Sequence, residues 1–149
     1  MKRKLCIAAA VALVLALTVG AVLYFAVIRP RNIQRQKQQE HLEAVLRYRE
    51  EKTRRYQTEN EAYADYQVDV AFLGDSLTDG YDLERYYPQF LVCNRGIGGD
   101  TTFDLEARLQ VSVYDLKPKV AVVLIGANNL STMFQNYEAI LTGLQENPA

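Results

Sequence analysis

Three short apolar runs, each followed by a glycine-containing loop, constrain the fold of this chain more than any other feature. The runs are Val68 to Leu73, Leu91 to Asn94 and Lys119 to Ile125. The last run is apolar on both faces, as a parallel strand between two layers of helices is. Helical patterns follow each run, and strands that alternate with helices predict a parallel, doubly wound α/β sheet.

The segments between the runs carry helical signals of their own. Asp82 to Phe90 is predicted to be a short helical or irregular piece that Pro88 ends. Thr101-Thr102-Phe103-Asp104 has the Thr-x-x-Asp form of a helix-capping box. Two helices with one apolar face each are predicted after it, one before Pro118 and one after the last run. Their apolar faces consist of Leu105, Leu109, Val113 and Leu116, and of Met133, Phe134, Tyr137, Ile140, Leu141 and Leu144.

The loops that follow the runs contain the residues with chemical potential. They are Gly74-Asp75-Ser76-Leu77-Thr78-Asp79-Gly80, Asn94-Arg95-Gly96-Ile97-Gly98-Gly99-Asp100-Thr101 and Gly126-Ala127-Asn128-Asn129. Parallel sheets bind ligands beyond the carboxyl ends of their strands, so this fold brings the three loops to one rim. A serine at the end of a strand, between glycines, is how α/β hydrolytic enzymes expose a nucleophilic hydroxyl.

An enzyme that hydrolyses esters needs a nucleophile, a base and donors for the developing oxyanion. Ser76 is predicted to be the nucleophile, and its own N–H, at the start of the next helix, is one candidate donor. Gly99 can bring a second backbone N–H close to a substrate because it has no side chain. Asn128 offers its side-chain amide as a third donor.

Taken in this order, the three loops resemble the first three conserved blocks of the SGNH, or GDSL, hydrolase family, over roughly residues 66–146. The resemblance implies Ser76 as nucleophile, with Gly99 and Asn128 in the oxyanion hole. It also implies a three-layer α/β/α sheet of flavodoxin-like type, an ester substrate and no metal or cofactor. The third block of the family reads Gly-x-Asn-Asp, whereas this chain has Asn129 at the last position, a change expected to affect loop support.

Other interpretations of the same residues have less support. The segment Gly96-Ile97-Gly98-Gly99 lacks the third glycine of a dinucleotide fingerprint, and no acidic residue ends the third run to hold a ribose. The formal net charge of −1 leaves no basic footprint for a nucleic acid. Cys93 is predicted to be a small buried apolar residue.

The family's block that would supply the base is not found in this sequence. The family places an Asp-x-x-His block after two further strands, whereas the sequence ends at Ala149 and its one histidine, His41, is predicted to be solvated. We therefore expect a carboxy-terminally truncated, incomplete domain. A serine hydroxyl is a poor nucleophile without a base, so the chain alone is expected to be nearly inactive. Its third strand is expected to form a bare apolar edge.

The amino end predicts a membrane helix. Leu5 to Ile28 carries no charge, follows Lys2-Arg3-Lys4 and exceeds the ~20 residues that span a bilayer. A signal peptide cleaved near Val19-Gly20-Ala21 is the alternative, but the apolar run continues beyond that site. An uncleaved signal anchor over residues 1–28 is favoured, which implies a single-pass membrane protein with an extracytoplasmic domain.

Residues 29–65 are polar and rich in strong helix formers, which predicts a solvated helical stalk. A protein-binding helix is the alternative for this segment. Residues 66–149 then form the partial hydrolase domain. Two rival functions remain open at this point: a non-catalytic, membrane-anchored protein that keeps the ligand-binding rim, and an interaction protein that acts through its stalk.

Overall fold

The computed structural model describes residues 2–146. Its helices are α1 (Lys2–Leu23), α2 (Arg29–Asn60), α3 (Ser76–Asp79), α4 (Leu83–Tyr86), α5 (Thr102–Ala107) and α6 (Phe134–Glu146). Its strands are β1 (Val70–Gly74), β2 (Val92–Gly96) and β3 (Val120–Leu124). Wider π turns occupy Tyr24–Ile28 and Gln110–Tyr114, and a 3-10 turn occupies Ala127–Asn129. The chain divides into two compact units between Ala44 and Val45.

The first unit is helical. The π turn that joins α1 to α2 lies just before Pro30, which has no N–H to donate and whose ring crowds the carbonyl of the preceding turn. The continuous helical stretch Ala10–Asn60, which joins part of α1, the π turn and α2, is long and apolar enough to cross a membrane by length and composition. A signal sequence near the amino end would meet the same criterion.

The predicted parallel sheet is confirmed. Its strand order is β2-β1-β3, with Val70 paired to Val92 on one side and to Val120 on the other. All three strands therefore end at the same edge of the sheet. The second strand extends further than predicted, because β2 continues through Gly96 and takes in the first three residues of the second loop. The N–H of Ile97 then donates to the carbonyl of Gly74 over 3.0 Å, which extends the pairing past the glycines.

One face of the sheet carries the hydrophobic core. Ala71 and Leu73 of β1 are fully buried there against the apolar faces of the following helices. The face predicted before Pro118 is confirmed, since all four of its members are buried: Leu105, Leu109, Val113 and Leu116. The face predicted for α6 is partly wrong. Ile140 is buried, but Phe134 is 78% exposed and Leu141 is 45% exposed, and the polar Asn136 is buried instead.

The opposite face of the sheet is covered unevenly. Phe72 of β1 packs against Tyr87, with ring centroids 5.1 Å apart. On β3, by contrast, the side chains of Val120, Val122 and Leu124 are exposed. Among residues 2–146, β3 therefore has a helix layer on one face only and lies at the edge of the sheet. This agrees with the bare apolar edge predicted from the sequence.

The last turns of α2 belong to the second unit and pack against β2 and its loop, which differs from a fully solvated stalk. Tyr56 is buried and its hydroxyl donates to the carbonyl of Gly96 at 2.5 Å. The fully buried Arg95 lies 4.6 Å from the centre of the Tyr56 ring and donates to Glu59 and Asn60. In the sequence, this part of α2 has the composition of a solvated helix, because the residues that it contacts lie more than 30 positions later in the chain.

Candidate active site

Ser76, the predicted nucleophile, is the first residue of α3 and follows β1 after one residue, Asp75. The side chain of Asp75 caps this helix by accepting the N–H of Leu77 at 3.0 Å. Ser76 is exposed, and its hydroxyl bonds to no other residue that the structure describes. Since α3 is a single turn, its macrodipole contributes little, and the backbone N–H groups are the donors that matter.

The second loop passes close to α3. A side chain at Gly96 would collide with the backbone of Asp79, because its Cβ would lie 2.2 Å from the Asp79 nitrogen. Gly98 lies beside Ser76, and a Cβ there would be 3.9 Å from the Ser76 Cβ. Gly99 has φ +83°, a conformation that other residues rarely adopt. Its N–H bonds to no other described residue.

The third loop is tied to the second by two asparagines. Asn128 donates its side-chain amide to the carbonyl of Asp100 at 2.8 Å. Asn129 accepts the N–H of Thr102 at 3.2 Å and donates to the Thr102 hydroxyl at 2.8 Å, so it holds the first turn of α5. Thr101 caps α5 with the predicted capping box. The position at which this chain differs from the family pattern is thus a loop-supporting one.

A carboxylate beneath the rim, Asp79, was not singled out from the sequence. It accepts the N–H of Gly98 at 2.9 Å, the Lys52 ammonium at 2.6 Å and the Tyr48 hydroxyl. Burial opposes the ionisation of Asp79, but these hydrogen bonds and the Lys52 charge outweigh it and lower its pKa. Burial and the contact with Asp79 raise the pKa of Tyr48 to about 12, so this phenol stays protonated at neutral pH.

A second carboxylate, Asp100, is fully buried directly after Gly99. The Arg108 guanidinium donates to it at 2.7 Å, and also to the Ser112 hydroxyl at 2.7 Å and to the Gly74 carbonyl at 3.1 Å. The Nε of Arg49 lies 3.0 Å from the other carboxylate oxygen of Asp100. The Arg108 side chain therefore links the end of β1, at Gly74, to the loop after β2, at Asp100.

The three strands end at one edge of the sheet, so the three predicted loops begin there, and Ser76, Gly99 and Asn128 each follow a strand. The sequence offered a weak signal for the supporting groups, since Asp79 and Asp100 each lie inside a predicted loop. Their partners on α2 gave no signal. His41 belongs to the first unit, whereas Ser76, Gly99 and Asn128 belong to the second.

Comparison with known proteins agrees with this arrangement. The profile of the GDSL-like Lipase/Acylhydrolase family matches residues 72–148. Human platelet-activating factor acetylhydrolase IB subunit alpha2 is 41% identical over 70 residues, which cover 44% of this chain and 31% of that protein. The uncharacterized lipoprotein YqeF of Bacillus subtilis is 33% identical over 81 residues, 44% of this chain and 33% of that protein. The chain spans about a third of the length of these curated relatives.

Solved structures share the fold. A GDSL-like lipase from Bacteroides thetaiotaomicron superposes with a TM-score of 0.53 at 28% identity, over 64% of this chain and 54% of that one. A protein from Streptococcus pneumonia superposes with a TM-score of 0.65 at 24% identity, over 74% of this chain and 55% of that one. The second likeness concerns the fold alone.

Proposed function

The chain belongs to the GDSL-like lipase/acylhydrolase family, and on that premise we propose that its function is that of a membrane-anchored serine ester hydrolase. Ser76 attacks the ester carbonyl, the alcohol leaves, and water releases the acid from the acyl-enzyme. The oxyanion is held by the N–H groups of Ser76 and Gly99 and by the Asn128 amide. The apolar amino-terminal helix anchors the protein, with the hydrolase domain on the extracytoplasmic side.

One observation carries this proposal: an exposed serine and unused donors occur together on one rim. The Ser76 hydroxyl and the Gly99 N–H have no bonding partner among residues 2–146. Asn128 uses one amide hydrogen on Asp100, and an amide carries two, so the other is available. Unpaired polar groups on loops at the carboxyl edge of a parallel sheet, together with an exposed hydroxyl, are candidates for an acyl-transfer site.

The 149 residues alone are proposed to turn over slowly. They contain one histidine, His41, and it lies in the first unit. Without a base the serine hydroxyl is a weak nucleophile, and loss of the histidine from a serine-protease triad lowers kcat by ~10⁶. We assign the acid–base pair of the proposed enzyme to none of the residues of the second unit.

The test is acetyl transfer from p-nitrophenyl acetate to the full chain in detergent micelles, with and without added imidazole as a replacement base. Ser76→Ala removes the nucleophile, and Ser131→Ala, at another exposed serine, is the matched control. In imidazole we expect p-nitrophenol release above the Ser76→Ala background measured in the same buffer, with no change in Ser131→Ala. Without imidazole, the parent chain should release little more than Ser76→Ala.

Equal release in imidazole from the parent chain and Ser76→Ala, with both folded, would contradict the proposal. Saturable binding of the ester to the same folded chain, without Ser76 acylation, would favour the alternative of a non-catalytic, membrane-anchored binding protein that keeps the rim.

A further inference from the structure

Helix α2 contacts the loop that contains Gly99 from the amino side of that glycine. Tyr48 and Lys52, one turn apart on the same side of α2, both bond to Asp79. Asp79 in turn accepts the N–H of Gly98, the residue before Gly99. The Tyr48 ring also lies against Gly98, since a Cβ at that glycine would be 3.8 Å from a ring carbon of Tyr48.

The same helix contacts the loop from the carboxyl side of Gly99. Arg49 lies 3.0 Å from a carboxylate oxygen of Asp100, the residue after Gly99. It also donates to Asp104 in the first turn of α5 at 2.7 Å. Asp100 is fully buried and its carbonyl holds Asn128. Among residues 98–100, Gly99 alone has a backbone N–H that bonds to no other described residue. Its two neighbours are held by hydrogen bonds.

We propose that Tyr48, Arg49 and Lys52 are positioning residues for the Gly99 N–H. This inference rests on the proposed function, in which that N–H stabilises the oxyanion. Such donors work because they are aimed before the charge develops, and a displacement of about 1 Å is enough to cost ~10² in rate. A glycine at φ +83° cannot fix its own orientation through side-chain packing, so its neighbours must fix it. The three side chains act through Asp79 and Asp100 and do not touch the substrate.

The experiment observes the Gly99 amide directly in the full chain, in detergent micelles. The chain has eight glycines, and Gly99 is preceded by another glycine, unlike the other seven. Labelling glycine with both ¹³C′ and ¹⁵N therefore identifies its cross-peak without further assignment. The variants are Tyr48→Phe, Arg49→Met and Lys52→Met. Arg54→Met is the matched control, because it removes a cation from the exposed side of the same helix.

We expect the Gly99 cross-peak to shift in all three variants and to stay in place in Arg54→Met, while at least some of the other seven glycine cross-peaks stay in place throughout. We also expect the Ser76-dependent acylation rate in imidazole to fall about tenfold to a hundredfold. The concentration of ester at half saturation should stay the same, and Lys52→Arg should recover most of the rate.

The two proposals can fail separately. A parent chain without Ser76-dependent acylation would overturn the proposed function, while a shifted Gly99 cross-peak in the same samples would still support the positioning role. A Gly99 cross-peak that is unmoved in Tyr48→Phe, Arg49→Met and Lys52→Met would overturn the positioning role. Shifts of all eight glycine cross-peaks would overturn it as well, because that pattern means general loosening.

Discussion

The side-chain amide of Asn128 donates one hydrogen to the carbonyl oxygen of Asp100 over 2.8 Å. This bond ties the loop after β3 to the loop after β2. It also limits where the second amide hydrogen of Asn128 can point, because the amide group is planar. A residue that fixes its own orientation in this way is suited to hold an oxyanion.

Replacing Asn128 by alanine should lower the rate of Ser76 acylation by ~10²–10³, the usual cost of losing one oxyanion donor. Asn128→Asp should lower it at least as far, since a carboxylate has no hydrogen to donate. The rate is measured as p-nitrophenol release in imidazole. Gln135→Ala, at an exposed amide on α6, serves as control. An Asn128→Ala rate equal to that of the control would contradict the assigned role.

Any substitution of Arg108, including lysine, should lower the free energy of unfolding. Its guanidinium serves Asp100, Ser112 and the Gly74 carbonyl together, and an ammonium cannot reach all three. Arg108→Lys should lower the free energy of unfolding by about 3 kcal/mol, because it leaves buried polar groups unpaired. Denaturant unfolding of the full chain measures this loss. The exposed Arg54→Lys should stay within about 0.5 kcal/mol of the parent. A similarly small change for Arg108→Lys would show that the network is dispensable.

Acid should weaken the contact between α2 and the rim through Asp79. Burial opposes ionisation of this carboxyl, but Lys52, Tyr48 and the Gly98 N–H together lower its pKa below the usual value of ~3.9. The stabilisation is therefore complete above that usual value and is lost as the pH falls through the lower, folded-state pKa. The free energy of unfolding should accordingly depend less on pH below about pH 5 in Asp79→Asn than in the parent.

Glu59 and Asp69, whose pKa values are also lowered, titrate in the same acidic range. They are present in both proteins, so their contribution cancels in the comparison. Parallel stability curves for the parent and Asp79→Asn between pH 2 and pH 5 would show that Asp79 carries no pH-dependent stability.

The exposed face of β3 should promote self-association. Val122 is 40% exposed on an edge strand and lines an apolar hollow of about 330 Å³ together with Leu77 and Leu124. Val122→Lys should reduce association, since a charge on an edge strand disfavours pairing with another chain. Light scattering in micelles at increasing protein concentration measures the effect. Leu130→Lys, which changes an exposed apolar residue outside the strand, should leave association as in the parent.

The sequence predicted the parts of the fold that depend on local pattern. The apolar runs became three parallel strands, and the Thr101 capping box began α5 where expected. The same patterns placed Ser76, Gly99 and Asn128 after strand ends, because parallel strands share one carboxyl edge. Strand limits were less accurate, since Gly96 continues β2 through contacts with β1 that the local sequence does not encode.

The supporting side chains could not be predicted in the same way. Tyr48, Arg49 and Lys52 lie in a polar helix whose composition is that of a solvated surface, and their partners follow many residues later. The exposure of Phe134 was missed for a related reason. Helical periodicity shows which residues share a face of α6, but not whether another element packs against its first turn.

The most direct test of the account is the identity of the residue that a serine-reactive fluorophosphonate modifies in the full chain. Peptide mass mapping after incubation with imidazole should find the adduct on the peptide containing Ser76, with no adduct on Ser112 or Ser131 and none in the Ser76→Ala chain. Equal labelling of Ser76 and Ser131, or no labelling of Ser76 in a folded chain, would contradict the claim that this rim activates a nucleophilic serine.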